Sequence, residues 1–419
     1  MDLGFERRAW TLIYLCLGVI EGSTAAVMVR SLFGTTVHGI TVDLVVALVS
    51  SAPAWSNLAS LVYARRAQGH PKVQFLQPLL FAMAACVAAL ALLPGGGVGL
   101  AGFLLLYCAA RLLWAGVDTV RSVIWSVNYP RHLRARITGR IMINGSLALA
   151  ASGLLLGWLL EQQGPWYRAA LAAAAACGMA GAVIFRHFRV RREQQLLEAE
   201  RARLEEGASF DLAGIRELLV KDAGFRHYMF AMSLFGAGLL SLTPLMVVCL
   251  DDVLRVSELT QVAAATAVPI LVMPFAIQPW ARFLDRHHVI VFRSVHGWIA
   301  VAAAVLLAAA VLTRVPLLLW PGAALLGVSY AAGSLGWSLG HNDFAPRGEE
   351  TRYMALHVTL TGLRGLLAPP IAIVAYHLIE RVSPGAGSWA LALPVALVVA
   401  GAWQFSLMRR SRGDAARRA

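Results

Sequence analysis

The chain is short of charge. Only 14% of its 419 residues are Asp, Glu, Lys or Arg, where a soluble protein carries about 25%. That deficit excludes a soluble enzyme, a nucleic-acid-binding domain and a disordered chain. Cysteine is also scarce, with five residues, Cys16, Cys86, Cys108, Cys177 and Cys249, all inside apolar runs. They have no metal-ligand spacing and form no secreted disulfide framework. HExxH, GxSxG and P-loop signatures are missing as well, so metalloprotease, serine-hydrolase and ATP-driven chemistry have no carrier in this chain. A metal site drawn from His287, His288 and Asp343 is the poorest of the readings. No cofactor or metal is expected.

What the sequence has in abundance is hydrophobic length. Apolar residues make up 58% of the chain and the mean hydropathy is +0.66. A membrane-crossing helix needs about 20 mostly apolar residues. Twelve segments qualify: Trp10–Val29, Val42–Tyr63, Val73–Leu93, Val98–Trp125, Ile141–Leu160, Trp166–Phe185, Tyr228–Leu250, Val262–Ala281, Val289–Leu312, Pro316–Leu339, Met354–Leu378 and Ser388–Leu407. The formal charge of +13 reads as a topology signal. Basic residues cluster in alternate loops, and the opposite loops hold only Arg30, Arg168, Arg255, Arg314 and Arg381. The positive-inside rule then puts both termini in the cytoplasm. The expected setting is the inner (plasma) membrane, with a lipid bilayer as partner and no nucleic acid.

A polar stretch at 186–226, rich in Glu and Arg at i, i+3 and i+4, predicts a solvated or interface-lying amphipathic helix serving as a charged linker. It divides the chain into six-span bundles at 1–185 and 227–408, with a basic tail at 409–419. The halves echo each other. VIWSVNYP (123–130) and LGWSLGHNDFAP (335–346) both place Trp-Ser before an Asn, and Arg65 and Arg286 follow the second and eighth spans.

With this repeat the chain resembles the major facilitator superfamily. Asp285-Arg286 match the Asp-Arg of its loop motif Gly-x-x-x-Asp-Arg-x-Gly-Arg/Lys. In the first half Arg65 matches the Arg, while Ala64 takes the Asp position and Ser60 the first Gly. Arg111-Leu112-Leu113-Trp114-Ala115 is similar to the fourth-span motif Arg-x-x-Gln-Gly, and the fifth-span Gly-Pro motif of drug antiporters is absent. The resemblance implies an all-α membrane protein with twelve transmembrane helices in two pseudo-symmetric six-helix bundles. It implies alternating access to a small-molecule solute site near the midplane, with a monomer sufficing. It also implies a cytoplasmic gate in which Asp285 lies near Arg140 at the start of span five, with Arg65 and Arg286 in the matching loops.

Ionisable groups deep in a span are costly and mark function by default. Glu21 lies within span one; Arg111, Asp118 and Arg121 lie on span four, and Arg364 on span eleven. Arg111, Trp114, Asp118, Arg121 and Trp125 share one helical face. Asp118 and Arg121 pair along the helix, which leaves Arg111 for Glu21, since the family packs spans one and four together. Moving such a pair apart changes proton affinity. Glu21, Arg111 and Asp118 are therefore the proton-coupling candidates. His357, Thr361 and Arg364 on span eleven, Tyr330 and Ser334 on span ten, and Arg121 are the solute-binding candidates. Trp125 and Trp337 read as interface anchors or gate packing. Pro269, Pro274 and Pro279 are expected to interrupt span eight, and Pro369 and Pro370 span eleven. The function expected is a proton-coupled secondary transporter of a small polar solute, an organic anion before others. The alternatives are a drug or cation efflux antiporter, or a non-transporting assembly factor or sensor.

Overall fold

The computed structural model describes residues 3–162, 164–205, 218, 220–346 and 350–418. Residues 206–217 and 219 of the expected central stretch, and Ala419 of the tail, lie outside them. The described residues are helical and include no strand. By length and composition eleven helices can cross a membrane, or twelve when one bent pair counts as a single span.

The sixth and ninth spans run Trp166–Phe185 and Val289–Leu312, the bounds their apolar runs predict. Other spans extend beyond the apolar run, as in Gly96–Asn128 for the fourth and Glu350–Val382 for the eleventh. Lipid offers no partners to backbone groups, so each helix continues until water or a cap satisfies its ends. Asp222 caps the seventh span (Ala223–Asp252) by accepting from Phe225 N–H at 2.8 Å.

Three spans depart from simple rods. The first is broken into Leu3–Gly18 and Gly22–Phe33. Glu21 occupies the break with extended backbone, φ −65° and ψ 139°. A Cβ on Gly18 would land 2.1 Å from Ser152 Oγ and 2.5 Å from the Leu149 carbonyl, so the break is pressed against the fifth span (Arg131–Glu161). The second span bends by 48° between Gly39–Ser50 and Ala52–Ala67. Pro53 removes a backbone donor there, and Ser51 Oγ bonds back to the Ala47 carbonyl at 2.8 Å, two recognised sources of kinks. In the eighth, Glu258–Val262 passes through a π-turn, Ala263–Ala267, before Val268–Arg286. The wider turn accommodates Pro269.

The proline expectation needs correction elsewhere. The helix runs unbroken through Pro274 and Pro279, and through Pro369 and Pro370. Neighbouring helices and side chains re-satisfy carbonyls freed by proline inside a membrane bundle.

Contacts divide the chain into two compact units, Met1–Val45 with Ser56–Ser209, and Val46–Trp55 with Phe210–Ala419. Their internal packing matches pair for pair. In the first unit span one packs on five and six, span three on four and six, and the end of span two on four. In the second, seven packs on eleven and twelve, nine on ten and twelve, and eight on ten. The second unit is filled by Phe225, Tyr228, Phe235, Tyr353 and Phe405 around the seventh span.

Candidate functional site

In the first unit, the buried cations Arg111, Arg121 and Lys72 have acidic partners. Arg111, near the middle of the fourth span, is 3% exposed, and its Nη1 lies 3.4 Å from Glu21 Oε2. The Glu21 side chain keeps 23% of its surface open. The pairing expected from two leftover mid-span charges is therefore present, with one difference: Glu21 sits at a helix break. Its carbonyl accepts from Ala25 N–H at 2.8 Å, so Glu21 is the N-cap of Gly22–Phe33.

Nearly three helical turns further along, Arg121 has a different enclosure. Its guanidinium pairs with Asp118, half of whose side chain is exposed, and Nη1 donates to Tyr14 Oη at 2.6 Å. Four rings surround the cation, with centroids at 5.1 Å (Trp10), 5.9 Å (Tyr14), 5.6 Å (Trp114) and 4.6 Å (Trp125). Cation–π attraction replaces the lost hydration. Trp125 thus holds Arg121 rather than serving only as packing.

Behind the rings lies Glu6, 1% exposed, which sequence reasoning missed. It accepts from Trp10 Nε1 at 3.2 Å, from Trp125 Nε1 at 2.9 Å and from the Tyr129 hydroxyl. Burial, and then its bond to the Glu6 carboxylate, push the Tyr129 phenol above its ordinary range, so it stays a donor. Glu6 precedes the apolar run and reads as an ordinary flanking charge; its signal was its spacing four residues before Trp10. Asp43 is buried as well and pairs with Arg30 at 2.7 Å.

The second unit is built differently. Arg364 is 9% exposed. Its Nη1 donates to the Met232 carbonyl at 2.8 Å and its Nη2 to Thr361 Oγ1 at 2.7 Å. Thr361 in turn donates to the His357 carbonyl at 2.8 Å. Arg364 Nε and both ring nitrogens of His357 have no hydrogen-bond partner. Trp337 packs edge-on against His357, with ring centroids 6.0 Å apart.

Arg293 on the ninth span was missed in the sequence because it follows Arg282 and Arg286 and reads as one more topology charge. It is 1% exposed and donates from Nη1 to His296 Nδ1 at 3.1 Å. Arginine is donor-only, so His296 carries its proton on Nε2 and donates to Ser329 Oγ, 3.0 Å away. Among the described residues no acid pairs with Arg293 or Arg364. Leaving buried cations without a counter-charge costs several kcal/mol. Asp343 instead caps the ninth span at Val289 N–H, 2.6 Å away. Of the remaining candidates, Tyr330 is half-buried, and Ser334 Oγ donates within its own helix to Ala331 at 2.9 Å.

Of the gating residues, Arg65, Arg140, Asp285 and Arg286 are all exposed. Asp285 and Arg140 belong to different units, so their pairing stays an expectation. A clamp within the first unit is visible. The connecting helix Glu193–Glu205 reaches the turn between spans two and three. Glu200 Oε2 accepts from Lys72 Nζ at 2.6 Å and Gly69 N–H at 2.8 Å, and Glu193 accepts from Lys72 N–H at 3.1 Å. Lys72 is 1% exposed. The motif half that lost its Asp at Ala64 is braced by acids from the connecting helix. No group of three or more His, Cys, Asp and Glu that could hold a metal ion occurs among the described residues.

Comparison with known proteins agrees with this architecture. Solved transporters superpose along nearly the whole chain at low identity. A nucleoside transporter has TM-score 0.68 at 12% identity, covering 97% of this chain and 100% of its own. A D-xylose–proton symporter has TM-score 0.67 at 13% identity, covering 95% and 96%. A peptide transporter crystallised with alafosfalin has TM-score 0.69 at 14% identity, covering 97% and 94%. No curated protein matches the sequence. The Major Facilitator Superfamily matches over residues 11–369, and with eleven candidate spans among the described residues, or twelve if the bent pair is one, matching helix packing within the two units and charged groups buried inside each unit, the chain belongs to that superfamily as a multi-pass membrane transporter.

Proposed function

We propose that the protein moves a small organic anion across the inner membrane by alternating access, coupled to protons, as a monomer with both termini in the cytoplasm. The observation that carries this reading is Glu21, partly exposed at the break of span one and 3.4 Å from the buried Arg111. A guanidinium beside a carboxylate favours its charged form and burial favours the neutral one. A movement that parts Glu21 from Arg111 therefore changes how strongly the carboxylate holds a proton. Broken spans suit this task, because short helical segments can tilt without unmaking a long ladder. Asp118 and Arg121 extend the polar face, with Arg121 enclosed by four aromatic rings.

Arg364 supports the anionic solute. A cation held by one carbonyl and one hydroxyl has no charge to balance it, and a carboxylate or phosphate matches its geometry. His357 and Thr361 lie beside it, with Tyr330 and Ser334 on the adjoining span. The likeness to a proton symporter and to nucleoside and peptide transporters is one of fold and leaves the solute to be found.

The test is proton flux in proteoliposomes enclosing a pH-sensitive dye, challenged with separate pools of anionic and cationic metabolites. Wild type should acidify or alkalinise the lumen with the anionic pool, and Glu21→Gln should lose that flux. Flux driven only by cations, or flux retained in Glu21→Gln, contradicts the reading.

A further inference from the structure

The cations of the second unit form one cluster. Arg293's guanidinium lies against Gly336, where a Cβ would meet its Cζ and Nη2 at 2.7 Å. The next residue, Trp337, packs on His357. One turn on from His357, Thr361 takes Arg364, whose guanidinium lies against Gly236, where a Cβ would come within 2.7 Å of Nε. Both guanidiniums rest on bare backbone, so no side chain of those two residues screens that face. Tyr228, Met232 and Gly236 follow at i, i+4 and i+8 on the seventh span, so Tyr228 shares the face that Arg364 meets through the Met232 carbonyl and Gly236. Its hydroxyl also lies against Gly340, one turn on from Gly336, where a Cβ would come within 2.9 Å of it. Among the described residues no acid forms an ion pair with Arg293 or Arg364.

The donors are counted easily. Arg293 Nε and Nη2, Arg364 Nε, the His357 ring nitrogens and the Tyr228 hydroxyl are all buried and have no hydrogen-bond partner. Arg293, His357 and Tyr228 are each no more than 1% exposed. Buried polar groups are rarely left so in native proteins unless they serve a ligand or another function.

We propose that Arg293, His357, Tyr228 and Arg364 form a single oxyanion site made for a dianion, either a dicarboxylate or a phosphoryl group. The proposal rests on the anionic-solute reading and specifies its charge. Two guanidiniums answer two negative charges, and the neutral donors of His357 and Tyr228 complete the shell without adding an acceptor-repelling acid. A monoanion would leave one cation uncompensated and gain less from entering.

The test is ligand binding to the purified full chain in detergent at matched ionic strength, read by thermal unfolding and titration calorimetry. Succinate is compared with butyrate, and phenyl phosphate and inorganic phosphate with benzoate. At least one dianion should bind about tenfold or more tightly than its monoanion counterpart, and which one does separates the dicarboxylate from the phosphoryl source. Arg293→Gln should lower that affinity about tenfold or more, and Arg293→Lys should keep part of it. If Arg293→Gln does not fold, Gly336→Ala serves, since it keeps the charge while crowding the guanidinium, and it should weaken the same dianion. Equal binding of dianions and monoanions, or dianion affinity indifferent to both variants, overturns the proposal. Proton flux driven by monoanions with Arg293 dispensable would leave the anion-transport reading standing and remove the dianion site. Dianion binding through Arg293 without any anion-driven flux would do the reverse.

Discussion

The two halves share a packing plan and differ in how they treat charge. In the first, the ion pairs run Glu21–Arg111, Asp118–Arg121, Arg30–Asp43 and Lys72–Glu200. In the second, Arg293 and Arg364 are held by a histidine, a carbonyl and a hydroxyl. Balanced pairs can exchange partners or protons while keeping the same total charge. Unbalanced cations retain an uncompensated charge. On the proposed function, the first half would handle protons and the second would hold the anion.

The sharpest way to break this contrast is to give the second half its missing acid. Thr361→Asp sets a carboxylate where Arg364 Nη2 now finds a hydroxyl at 2.7 Å. Anion transport should vanish while the melting temperature holds or rises. Wild-type uptake in this variant would show that Arg364 does not wait for a solute.

A smaller but still large effect is expected from the first half. Glu6→Leu strands Trp10 Nε1, Trp125 Nε1 and the Tyr129 hydroxyl, each of which now donates to Glu6. Buried donors left unmade cost about 1–3 kcal/mol each, so thermal unfolding in detergent should come markedly earlier. Glu6→Gln, which keeps an acceptor, should lose less. Equal melting of all three proteins would deny Glu6 its structural part.

The mildest change is Glu200→Gln. The connecting helix would lose its charge on Lys72 yet keep acceptors near Gly69 and Lys72. Partly buried pairs of this kind contribute about 1 kcal/mol. Amide exchange of residues 67–72 should quicken while the spans stay protected, and unchanged exchange there would mean the brace is idle.

How far the sequence could be read follows the same physics. Apolar length dominates in a membrane, so the spans were legible, two of them to the residue. Breaks were not. Pro369-Pro370 promise an interruption that bundle packing cancels, while the break at Glu21 comes in a stretch without proline, against Ser152 and Leu149 of another helix. The Glu21–Arg111 pair was legible because two charges in mid-span had nowhere else to go. Glu6, Asp43 and Arg293 sit at span ends, where charge is ordinary in a membrane sequence. Only tertiary burial reveals them. Arg293 had one local hint, His296 one turn on, although a single i, i+3 pair is too common to single out.

Separate roles for the two halves can be tested in one preparation. Wild type and Glu21→Gln are reconstituted side by side, and uptake of the active anion is measured twice, once driven by a pH gradient and once as exchange against internal anion. Glu21→Gln should lose gradient-driven accumulation and keep exchange, because the cations of the second half are untouched. If Glu21→Gln accumulates the anion as wild type does, or loses exchange together with accumulation while still folded, the division of labour between the halves is wrong.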